Sequence, residues 1–216
     1  MGALSFFNTY RLTGILLIVA GIVFGIGAAL PIFGEKGNMG IYTLPVREQL
    51  QAIANNPNAW RWGNIFTGTA FVVLLVGMSL LTTILEGSKE QAFSRLGLVG
   101  LLLAAGLWVI FSAFRGVVGG LAAQEFAATG AVPNYYEPLA KFAFVLFFTY
   151  AAIGFLALAS YGGSLLQAGL LPAWVGWATL LFSIAMLVLL LVMGDNLPLF
   201  HYLPPLLIGI LLLAHG

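Results

Sequence analysis

The sequence predicts an all-α, polytopic membrane protein: a bundle of six transmembrane helices with one short amphipathic interfacial helix in its first loop. Three observations carry that expectation. Charged residues are 7% of 216 positions, where soluble domains run at about a quarter. Mean hydropathy is +1.05. The apolar runs are long enough to cross a hydrocarbon layer, which takes roughly 20 helical residues. At that length the chain supplies about six crossings and two sizeable loops, a single integral membrane domain over residues 1–216 with no room for a soluble one.

Composition also excludes partners and chemistries. A formal charge of +1 makes no basic field, so no nucleic acid is expected as a partner. With no cysteine, disulfides, iron–sulfur clusters and thiolate metal sites are ruled out. The N-terminal stretch lacks a basic region ahead of its apolar run, and the run from Leu12 is long for a signal peptide, so a retained helix is expected. Met1-Gly2 followed by Ser5 could be mistaken for a myristoylation signal, a reading that adds nothing to a chain anchored six times.

The first crossing is expected over 12–33, with Arg11 at its start and Pro31 near its end. Gly21-x-x-x-Gly25 inside it, with Gly14 and Gly27 nearby, offers a place for another helix to approach closely. In the loop that follows, Pro45 suits a first helical turn. Val46, Leu50 and Ile53 fall on one face while Arg47, Glu48 and Gln51 fall largely on the other, the pattern of a helix lying in the headgroup plane. Asn56-Pro57 ends it, with Pro57 able to open the next helix under an Asn56 cap. Trp60 and Trp62 beside Arg61 read as interfacial anchors, as do Tyr135, Tyr136, Trp174 and Trp177 later.

The second crossing is expected over 64–85 and the third, after a polar turn from Glu86 to Arg95, over 96–114. Arg115, Gly116, Gly119 and Gly120 interrupt the third pattern, which resumes to Thr129, so this helix projects beyond the hydrocarbon or bends at the glycines. The remaining crossings are expected over 141–166, 172–193 and 198–214, the last carrying Pro204 and Pro205 that make its start irregular. Six crossings put both termini on one side. Counting positive charge favours the loop side (Lys36, Arg47, Arg61, Arg115, Lys141) as cytoplasmic. The long loops and the compact turn carrying Lys89 argue the reverse, and the termini are expected inside.

The motifs Arg11-Leu12-Thr13-Gly14, Ala52-Ile53-Ala54-Asn55-Asn56-Pro57 and Leu170-Leu171-Pro172-Ala173-Trp174-Val175-Gly176-Trp177 are spread over most of the chain. Through them it resembles an uncharacterised bacterial family of six-helix integral membrane proteins known only as a domain of unknown function. The resemblance implies that topology and a bacterial inner membrane; it implies no activity or site.

Chemistry concentrates on the loop side, where Glu35, Glu48, Glu125, Glu137 and Asp195 gather with Arg115 and His201. Ionisable groups near helix ends in an apolar bundle are candidates for function. One reading is a ligand pocket lined by Arg115, Asp195 and His201 and roofed by the Arg47–Trp62 segment, with Glu48 and Arg61 in it. The other assigns each group separately: Arg115 snorkelling to headgroups, Asp195 capping the last helix, His201 in the interface, Glu48 and Arg61 in water. His201 and His215, fourteen residues apart, fall near one helical face roughly 21 Å apart, a spacing open to pigment or haem ligation at two membrane surfaces. Two b-type haems with paired histidines would need four. No cofactor is otherwise expected.

No HExxH, GxSxG or GxxxxGK[ST] occurs, and no acid lies in mid-helix. The expected function is therefore that of a non-catalytic accessory or structural subunit in a bacterial inner membrane, with the lipid bilayer, other membrane proteins or further copies of itself as partners. The alternatives are binding or transport of a small amphipathic, lipid-like molecule at the loop side, and a pigment- or haem-binding subunit.

Overall fold

A computed structural model describes residues 8–33, 37–38, 41–87, 91–195 and 197–215. Its elements are α1 (Thr9–Phe33), α2 (Val46–Asn55), α3 (Pro57–Glu86), α4 (Ala92–Ala113), a π-helical turn (Phe114–Val118), α5 (Gly119–Thr129), α6 (Tyr136–Ala168), α7 (Ala173–Met193), a 3₁₀ turn (Pro198–His201) and α8 (Leu203–His215). No strand occurs among the described residues. Among the described residues the protein is helical, with five segments long and apolar enough to cross a bilayer: Thr9–Phe33, Pro57–Glu86, Ala92–Thr129, Tyr136–Ala168 and Ala173–Met193.

The sixth expected crossing is shorter than the others. The 3₁₀ turn takes up the first part of 198–214, and the α-helix proper has 13 residues, about 20 Å at 1.5 Å per residue against a hydrocarbon layer of about 30 Å. Pro204 and Pro205 sit in its first turn, where their missing amide hydrogens cost nothing.

Several helices start before their apolar runs do, because caps rather than hydropathy set helix ends. Asn8 accepts the Arg11 amide hydrogen at 2.8 Å and starts α1. Asn56 accepts that of Ala59 at 3.2 Å, so α3 opens at Pro57 and carries Trp60 and Trp62 inside it. Gly130 closes α5 in the left-handed region, φ 71°, its amide hydrogen bonding Phe126 O.

Contacts divide the chain into two compact units: one of Met1–Ile22, Phe71–Gly106 and Phe148–Gly216, the other of Val23–Ala70 and Leu107–Phe147. In the first, backbones touch at Gly162, where an added Cβ would stand 2.6 Å from Leu180 N and 2.9 Å from Gly176 O. The buried Tyr161 hydroxyl shares a 2.6 Å hydrogen bond with the Thr82 hydroxyl and lies 3.2 Å from Met78 O. In the second, Gly27 meets Gly63 O and Thr67 N at 2.9 and 2.8 Å from an ideal Cβ. Of the glycines read together in α1, Gly14 and Gly27 make such contacts within the chain, whereas Gly25 has nothing within 4 Å. Spacing supplies small residues, and packing chooses which ones are used.

Candidate functional site

Helix α2 forms as its periodicity predicts, with Pro45 before its first turn and Glu48 complementing the helix dipole there. Its apolar face does not face lipid. Leu50 and Ile53 are fully buried, in a cluster with Ile41, Trp60, Ala122, Ala123, Phe126 and Tyr136, so α2 packs on α5. Two side chains tie the ends. Arg47 Nη2 donates to Gly130 O at 2.9 Å, and Gln49 Nε2 donates to Ile41 O at 2.9 Å.

Beneath this cap lies the π-helical turn. A turn of that width leaves backbone groups in need of outside partners and is often found at functional positions. Here the partner is Trp60, whose Nε1–H donates to Arg115 O at 2.7 Å. Trp60 is 2% exposed, its ring packed inside its unit. Asn64 lies under the same turn, since a Cβ on Gly116 would come within 3.3 Å of its own Cβ.

The Arg115 side chain is half-buried among aromatic rings. Its Cζ lies 4.6 Å from the Trp60 ring, 4.8 Å from Tyr42 and 5.5 Å from Phe111. Tyr42 is held in turn by donating its hydroxyl to Ala28 O at 3.2 Å. Partial burial lifts the phenol of Tyr42, which is still 39% exposed, above its ordinary value, and the Arg115 charge opposes that rise. Among the described residues the ion pair is Arg95–Glu86 at 2.8 Å, and no carboxylate there pairs with Arg115. The arrangement presents a guanidinium surrounded by three rings, with no described residue accepting a hydrogen bond from it.

The other expected site residues are placed as follows. Glu48 and Arg61 belong to the same unit as Arg115, and both are exposed. Glu125, also exposed, accepts the Tyr135 hydroxyl at 3.2 Å. Asp195 and His201 belong to the other unit. Asp195 is exposed, whereas His201 is fully buried. Its Nε2 lies 3.2 Å from Ala151 O, which can only accept, so Nε2 carries the hydrogen. Nδ1 then accepts from the Tyr150 hydroxyl at 3.0 Å. The Phe155 ring stacks 3.9 Å away and an added Cβ on Gly154 would meet the imidazole at 2.8 Å. Both nitrogens are engaged, so metal ligation would have to break one of these bonds. Glu35 and the side chain of His215 lie outside the described residues. Of the expected anchors, Trp62, Tyr135, Trp174 and Trp177 are exposed, while Trp60 and Tyr136 are buried.

Reading the sequence missed Tyr42 and Phe111. Phe111 precedes Arg115 by four residues, a spacing that puts both on one helix face, so it could have been found. Tyr42 carries no such signal. No family model, no curated protein and no solved structure matches this chain.

Proposed function

We propose that this chain is a non-catalytic protein of a bacterial inner membrane, an accessory or structural subunit that packs its apolar faces against lipid and other membrane proteins. What supports this reading is the outward face of the segment Ala92–Thr129. Leu96, Val99, Leu102, Leu103, Val109, Ile110, Val117 and Leu121 are each more than 40% exposed along it. At Gly106, in the middle of that face, a Cβ would meet nothing within 4 Å. Open space at a glycine between large apolar side chains is what a neighbouring helix needs for close approach.

The chain has no cysteine, so Val99→Cys gives a unique cross-linking point in native membranes. The expected result is a discrete cross-linked product, with another membrane protein or a second copy, that Gly106→Leu diminishes. A chain that stays alone both in the membrane and after extraction in mild detergent overturns the reading. The same proposal has 198–214 completing a sixth crossing, stretched to about 25 Å, with both termini cytoplasmic. A C-terminal reporter active on the far side of the membrane contradicts that count.

A further inference from the structure

We infer that Arg115 binds a phosphate-type oxyanion, the headgroup of an anionic lipid or a soluble phosphate, in the cage built by Tyr42, Trp60 and Phe111. The inference goes beyond packing and needs no protein companion.

Three observations carry it. The first is unfilled donor capacity. Aromatic rings hold a guanidinium through its charge and accept none of its five N–H groups in ordinary hydrogen bonds. The rings stand 4.6, 4.8 and 5.5 Å from Cζ, and among the described residues no carboxylate pairs with the group. A half-buried cation in that state favours a forked oxyanion partner, which accepts two parallel hydrogen bonds.

The second is preorganisation. Trp60 is fixed by its 2.7 Å bond to Arg115 O, and Tyr42 by its 3.2 Å bond to Ala28 O. Phe111 rides on the same helix one turn away. Little rotamer freedom is left to lose on binding.

The third is depth. Arg115 follows Arg95 by twenty residues with no charge between them, about 30 Å of helix and so one hydrocarbon thickness. Arg115 therefore falls at the level of lipid phosphates.

The test uses the full-length protein in neutral maltoside micelles, titrated calorimetrically with dioctanoyl phosphatidylglycerol, dioctanoyl phosphatidylcholine or sodium phosphate. The expected result is saturable binding of the anionic lipid, at least about tenfold weaker in Arg115→Ala, as for loss of a charge-assisted hydrogen bond. Arg115→Lys, which keeps the charge without the fork, weakens it too. Lys141→Ala, at an exposed cation of the same unit, leaves it unchanged. Phosphate that binds as tightly as the lipid and also depends on Arg115 supports the oxyanion site and places its source in water. Circular dichroism checks folding; should Arg115→Ala not fold, Arg115→Lys and Tyr42→Leu decide. Unchanged affinity in the folded variants, or no saturable binding of either anion by the unaltered protein, overturns the inference.

Discussion

Replacing Trp60 with phenylalanine tests whether the indole N–H is what completes the π-helical turn. The substitution keeps an aromatic ring in a position that is 2% exposed and removes the donor that sits 2.7 Å from Arg115 O. A buried carbonyl left without its partner costs about 1–3 kcal/mol, and the smaller ring adds a cavity term, for about 2–4 kcal/mol in all. Trp62→Phe is the matched control: that side chain is 52% exposed, and its loss is expected to stay within about 0.5 kcal/mol. Reversible unfolding in one detergent, followed by circular dichroism, gives the difference between the two variants. If they unfold within about 0.5 kcal/mol of each other, water reaches the carbonyl and the argument for the turn fails.

Three further outcomes follow from the same structure. Gly162→Ala forces a Cβ to within 2.6 Å of Leu180 N, backbone that cannot rotate away, and is expected to destabilise by about 1–3 kcal/mol; Gly25→Ala, with open space around it, is the control, and equal melting of the two contradicts the packing. Tyr42, raised above the ordinary phenol value of 10.0, contributes stability that is complete below pH about 10 and declines as pH rises through its folded-state value. Tyr42→Phe should therefore flatten the alkaline limb of the stability–pH curve, and an unchanged limb refutes the assignment. With both His201 nitrogens already bonded, the purified protein is expected to absorb only in the aromatic region. A visible band that His201→Ala abolishes would show that one of those bonds yields to a metal.

How far the candidate site could be read in advance differs from residue to residue. Arg115 stands out because charge is rare in this chain and costly in an apolar bundle. That Trp60 and Tyr136 are packed inward is not legible, because an aromatic residue near a helix end looks the same whether its ring meets protein or headgroups. Asp195 and His201 drew notice with Arg115 on sequence position alone, and sequence position did not show that His201 lies within a buried aromatic cluster.

What the sequence determined by itself was class and period. An apolar chain in a bilayer must satisfy its backbone internally, so runs of about 20 apolar residues become helices, and the face of α2 bearing Leu50 and Ile53 follows from a repeat of 3.6. Tertiary structure alone decided what those faces meet. It put α2 on α5 instead of on lipid, drew Tyr42 against Arg115 from 73 residues away, and chose Gly27 and Gly162 over the Gly21/Gly25 pair for close approach. The reason is physical: periodicity specifies which side of a helix is apolar, and lipid and protein are equally good solvents for it. Only shape, the fit of one surface into another, separates the two.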